Sequence, residues 1–158
     1  MTIKLKQMAL LAEVIGGIGI IVSLLYLTRE VSQNTATQAL ANHLALSSQT
    51  ADINMVILAD AELSDIMDRG IAGLDPLDPK ERARYIRTMN LWYDLWENVN
   101  IAGASGLLDD EVFANWSDAM CLSFRNPGSV QAWEELRYLY RLNTGYVAAV
   151  EDCHAGSP

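Results

Sequence analysis

The chain has 158 residues, enough for one domain with a core of its own even after an anchor is set aside. Apolar residues make up 51% of it, too many for a chain disordered throughout. The net charge is −9, and from Arg29 onward nine Lys or Arg face nineteen Asp or Glu, so this part repels phosphate backbones and anionic headgroups. With no basic run or basic–aromatic interleaving, nucleic-acid binding is excluded from the expected partners. Cys121 and Cys153 form no CxxC, and His43 and His154 lie far apart, so neither a metal centre nor a cofactor is expected.

The first element is the stretch "LAEVIGGIGIIVSLLYLTREVSQNT", residues 11–35. Between Met8 and Leu27 the only charge is Glu13. At ~1.5 Å per residue, a helix of that length spans ~30 Å, the thickness of a bilayer's hydrocarbon core. An acid at a helix centre costs roughly 3 kcal/mol on the insertion scale, whereas eleven Leu, Ile and Val residues from Leu10 to Leu27 return about 3–7 kcal/mol together. Insertion wins. A cleaved signal has Lys4 and Lys6 in its favour as an n-region, but the nearest A-x-A site, Ala39-Leu40-Ala41, lies twelve residues beyond Leu27. The reading is therefore a transmembrane anchor over residues 1–28, followed by an acidic helical domain over residues 29–158. Lys4 and Lys6 outnumber Arg29 across the span, which favours a cytoplasmic N-terminus and a periplasmic domain.

Within the anchor, Ala9, Ala12, Gly16, Gly19 and Ser23 recur at spacings of three and four and share one helix face. Small residues on one face let a second helix approach closely. Glu13 lies beside this stripe, and an intramembrane acid needs a partner or a wet cavity. These six residues form the expected helix-packing interface. The membrane lipid and other transmembrane helices, from copies of this chain or from a larger complex, are the expected partners.

No Gly or Pro occurs from Ile20 to Arg69, so the helix is expected to run on to about Leu58. Val31, Leu40, Leu44, Ala51, Met55 and Leu58 recur near helical spacing, while polar residues 32–35 permit a break. Asp60 begins a short helix that ends at Gly70. "LDPLDP", residues 74–79, is a turn, because each Pro biases its predecessor away from the helical region. Asp78 then reads as N-cap, Pro79 as first helical residue and Glu81 as the capping-box acid. The next helix turns Tyr85, Ile86, Met89, Trp92, Tyr93, Trp96, Val99 and Ile101 inward and ends in the 103–106 loop. Asp109 caps a helix with Val112, Phe113, Trp116, Met120 and Phe124 inward, stopping at Asn126-Pro127-Gly128. Ser129 caps another with Val130, Trp133, Leu136 and Tyr140, and a last helix runs from Tyr146 to about Asp152. No strand is expected. The predicted fold is all-α, an N-terminal transmembrane helix continuing into a small helical bundle.

The large aromatics at helical spacing read as core filling before they read as a ligand pocket. In an oxidising periplasm Cys121 and Cys153 can pair, worth ~3–4 kcal/mol by loop closure. Two unpaired thiols within a helical core are the alternative, and spacing does not decide between them. No nucleophile elbow, phosphate loop or Ser/His/Asp set is present. Asp109-Asp110-Glu111 is explained as a cap with first-turn acids favoured by the helix dipole, and His43 as an exposed helix position. No catalytic residue is expected.

The anchor at residues 11–35, "DPLDPKERARYIRTMNLWYDLWENV" (75–99), "GLLDDEVFANW" (106–116) and "NPGSVQAWEELRYLY" (126–140) together resemble a broad group of short, uncharacterised single-pass bacterial membrane proteins. Those share an AE-I-G…VSL-YL…QNT segment and a Trp-rich helical domain. The resemblance implies a bacterial inner-membrane location and this fold, and carries no catalytic residues. The expected function is that of a non-catalytic accessory or assembly subunit of a larger membrane complex, respiratory or photosynthetic in type, or of a homo-oligomeric scaffold. The alternative is a membrane-tethered sensor or binding domain holding an apolar ligand in its bundle.

Overall fold

A computed structural model describes the backbone of residues 2–155 and the side chains of Gln7 and residues 13–154. Among the described residues the structure is all-α, with no strand: a long N-terminal apolar helix continues into a small helical domain. By its contacts the chain divides into two units, Met1–Gln38 and Ala39–Pro158. The helices are α1 (Thr2–Ala59), α2 (Ala61–Ile71), α3 (Pro79–Ala104), α4 (Asp110–Ser123), α5 (Pro127–Leu136) and α6 (Thr144–Ala155), with a 3-10 turn at Arg137–Leu139.

α1 has no break at residues 32–35. Its Ser and Thr hydroxyls close onto the preceding turn: Ser23 donates to the Gly19 carbonyl at 2.8 Å, Thr28 to Leu24 at 2.8 Å and Thr35 to Val31 at 3.0 Å. Hydroxyls satisfied in this way leave the backbone ladder intact and need no water. Every described side chain from Glu13 to Gln38 is exposed.

From Ala39 onward one face of α1 is buried, and it is not the face that the apolar periodicity suggested. Ala39, Leu46 and Ile53 are buried, whereas Val31, Leu40, Leu44, Ala51, Met55 and Leu58 are exposed. Leu46 and Ile53 pack with Leu95 and Val99 of α3 and with Leu108. Both faces are apolar at helical spacing, so only the partner's shape selects one. Asn42 supports the choice by donating to the Leu107 carbonyl at 3.2 Å.

The helix starts follow local chemistry. Asp60 caps α2 by accepting from the Leu63 amide at 3.0 Å. Asp78 and Glu81 form the full capping box at α3, with Pro79 in its first turn. Asp109 occupies the N-cap position of α4 in extended backbone, but its side chain makes no capping bond. α3 stops in a Schellman arrangement: Gly106 has φ +66°, its amide donates to Gly103 and the Leu107 amide to Ala102.

Further boundaries and faces differ from the sequence reading. α2 runs through Gly70 to Ile71. α5 begins at Pro127 with Asn126 as N-cap, so Ser129 is a buried first-turn residue and not the cap. Proline's fixed φ suits it to the first helical position, where its missing N–H is no loss. α6 spans Thr144–Ala155, two residues longer at the start and three at the end than expected. Ile101 is half exposed, and Leu95 takes its place inside.

Gly70 and Gly128 explain each other. A Cβ on Gly70 would lie within the Tyr85 ring, and one on Gly128 would overlap the Gly70 carbonyl. α2 and α5 therefore meet backbone to backbone, with Tyr85 filling the adjoining space. Above this crossing sits an aromatic core around Tyr93. Its ring stacks on Phe124 at 5.8 Å, meets the edge of Trp133 at 5.4 Å, and its hydroxyl donates to the Ser129 carbonyl at 2.5 Å. Tyr140 and Tyr146 extend the cluster, each 5.5–5.6 Å from Trp133. Such offset and edge-on pairs add about 0.5–1.5 kcal/mol each beyond the area they bury.

Candidate functional site

The first candidate lies on the unit Met1–Gln38. α1 contains a stretch long and apolar enough to cross a membrane, and none of it is buried. Val14, Ile18, Ile21 and Leu25 are each more than half exposed. Of the expected helix-packing residues, Ala9 and Ala12 lie outside the described side chains, and Glu13 is exposed. A Cβ on Gly16 or on Gly19 would meet nothing within 4 Å, so both present open backbone. Ser23 shares their spacing, but its hydroxyl is already donated to Gly19.

The second candidate lies within the unit Ala39–Pro158. α3, α4 and α6 enclose a half-open cavity of about 450 Å³. Its walls are Trp96 and Val99 from α3, Phe113, Trp116 and Met120 from α4, and Ala149 from α6. Volumes of this size and apolar linings of this kind typify small-molecule sites. Cys121 and Cys153 are disulfide-bonded with their Cα atoms 4.8 Å apart, tying α4 to α6, and the bond forms part of the same wall. A second cavity of about 380 Å³ shares Trp96 and Trp116 as walls and reaches toward Met67 and Met89. The sequence reading holds a ligand pocket only as its alternative to core filling, and does not place either space. Their lining residues are the same inward aromatics it assigned to the core, and periodicity does not say whether facing side chains meet or leave a gap.

The polar side chains around the first cavity are those of Asn100, Ser117, Arg125 and Asp152. Arg125 and Asp152 lie on it, both exposed, and neither forms an ion pair or a side-chain hydrogen bond among the described residues, with each other or with anything else. Two arginines of the α2–α3 corner are paired. Arg69 bridges Glu81 at 2.6 Å and Asp65 at 2.9 Å, and Arg84 bridges Asp60 and Glu62 at 2.5–2.6 Å. The Arg69 hydrogen bond, with the Asp78 amide, holds the Glu81 carboxyl below its ordinary range, and the Leu63 amide does the same for Asp60. These networks pin the α2–α3 corner and contribute little individually, being exposed.

On the far side of α3, Tyr140 donates to the Asp94 carboxylate at 2.6 Å while Asn143 donates to Glu97 at 3.2 Å. Burial, then the Asp94 bond, pushes the Tyr140 hydroxyl well above the phenol range. His43 is half-buried, not the exposed position expected from sequence, and its Nδ1 lacks a hydrogen-bond partner among the described residues. Among the described residues no acid or second histidine is hydrogen-bonded or ion-paired to it. Among the described residues no group of three or more His, Cys, Asp or Glu is placed to hold a metal ion.

No family model, curated protein or solved structure matches the chain.

Proposed function

We propose that the protein is a non-catalytic, single-pass protein of the bacterial inner membrane, acting as an accessory or assembly subunit of a larger membrane complex or as a homo-oligomeric scaffold. The observation that carries this reading is the complete exposure of the side chains from Glu13 to Gln38 in a helix of this apolarity. An apolar surface of that length is not left in water; lipid tails or partner helices cover it. Gly16 and Gly19, open on the same helix, supply a close-approach face. The second unit has exposed apolar side chains of its own at Leu40, Leu44, Met55 and Leu58. The Lys4 and Lys6 excess supports a periplasmic domain, where a disulfide persists, and the resemblance supports the bacterial setting.

Extraction in a mild detergent followed by native mass spectrometry tests the reading. A stoichiometric complex is expected, and Gly16→Leu with Gly19→Leu should dissociate it. Association unchanged by the double substitution would remove the small-residue face from the mechanism. The cavity between α3, α4 and α6 favours one second reading, a membrane-tethered binding domain for an apolar ligand. A monomer that carries a bound small molecule through the same extraction separates it from the first.

A further inference from the structure

We infer that the cavity between α3, α4 and α6 takes the single acyl chain of a zwitterionic amphiphile, whose anionic group meets Arg125 and whose ammonium meets Asp152. This rests on the second reading above, that the bundle holds an apolar ligand, and adds the ligand's class.

The body of the site sets the first half. A methylene is close in size to a water molecule, ~30 Å³, so about 450 Å³ holds roughly fifteen chain carbons: one acyl chain, not the two of a phospholipid. The walls that such a chain would meet are Val99, Phe113, Trp116, Met120 and Ala149, none of which carries a charge. Trp96 and Trp116 also line the second cavity of about 380 Å³.

The two charges set the second half. Arg125 and Asp152 border one cavity, and among the described residues neither has an ionic or hydrogen-bonding side-chain partner. They form no ion pair with each other, so both charges can meet a third party. A fatty-acid carboxylate would gain Arg125 but face the Asp152 carboxylate. A cationic amphiphile would gain Asp152 but face the guanidinium. A headgroup carrying a phosphate and an ammonium answers both, and the cavity's indole faces add a further attraction for the ammonium.

The test uses the full chain in a non-ionic detergent, titrated with four sixteen-carbon probes and read by native mass spectrometry. The probes are palmitoyl lysophosphatidylethanolamine, palmitate, hexadecyltrimethylammonium and hexadecanol. One lysophosphatidylethanolamine per chain is expected, retained about five- to ten-fold better than the other three, as befits two exposed charge contacts. Arg125→Gln and Asp152→Asn, both at exposed positions that spare the core, should each erase that preference while chain binding persists. A nitroxide on the probe's acyl chain should quench tryptophan fluorescence saturably. Equal retention of all four probes, or a preference untouched by both substitutions, overturns the headgroup assignment and leaves the apolar-ligand reading standing. If no probe is retained beyond its partition into empty micelles, both are lost.

Discussion

At Gly128 a single hydrogen atom decides whether α2 and α5 can meet, because a Cβ would overlap the Gly70 carbonyl and crowd the Tyr85 hydroxyl. Gly128→Ala should therefore cost at least about 2–3 kcal/mol, the penalty of forcing a well-packed crossing apart. Gly145 in α6 is the control: a Cβ there meets only ordinary contacts at 3.7–3.8 Å. Gly145→Ala should leave stability unchanged or raise it by up to about 1 kcal/mol. Denaturant melts of the two variants check the pair, and equal midpoints would contradict the crossing. The buried tyrosines give a second test at this scale. Burial raises the hydroxyls of Tyr85, Tyr93, Tyr140 and Tyr146 above the phenol range, helped at Tyr140 by its bond to Asp94. A raised native value contributes stability in full below the unfolded value of ~10 and loses it as pH rises toward the native one. In a Tyr26→Phe, Tyr138→Phe background, phenolate absorbance should appear above about pH 10 only together with loss of helical circular dichroism. Titration ahead of unfolding would show that those hydroxyls are open to solvent.

Among the elements, the clearest wager concerns the tie between α4 and α6. The disulfide joins residues 32 apart in sequence. Cys153→Ser should cost about 3–4 kcal/mol by loop closure, and should remove the mobility difference between reduced and non-reduced samples on a gel. A melt unchanged by the substitution would mean that the packing of α6 on α4 stands without the link. The helices themselves were legible wherever a local signal set them. Asp60, the Asp78–Glu81 box with Pro79, and the Gly106 stop each act within one turn, and each falls where the sequence places it. Misplacement came where tertiary shape intervened. Asn126-Pro127-Gly128 was read as a stop, yet the same three residues start α5, since Pro can end one helix and open another. On α1 two apolar stripes compete, and only the fit of Leu46 and Ile53 against α3 buries theirs. The cavity's place was not legible for a related reason: a gap between inward side chains leaves no mark on the periodicity of any one helix.

For the whole molecule, the proposed membrane span would divide the chain between two solvents. Aromatic packing explains the second unit without help from outside, since Tyr93, Phe124, Trp133 and Tyr146 are almost wholly shielded by their neighbours. The first unit has no such account. Its Leu, Ile and Val side chains from Val14 to Leu27 are exposed, which the proposed membrane span accounts for by replacing water with hydrocarbon. Alkaline carbonate extraction of membranes from cells making the full chain measures this directly. The chain should stay in the membrane pellet after the wash and leave it only with detergent. Release into the aqueous wash as a monodisperse, folded species would mean that the apolar helix is covered by protein, and the membrane assignment would fall.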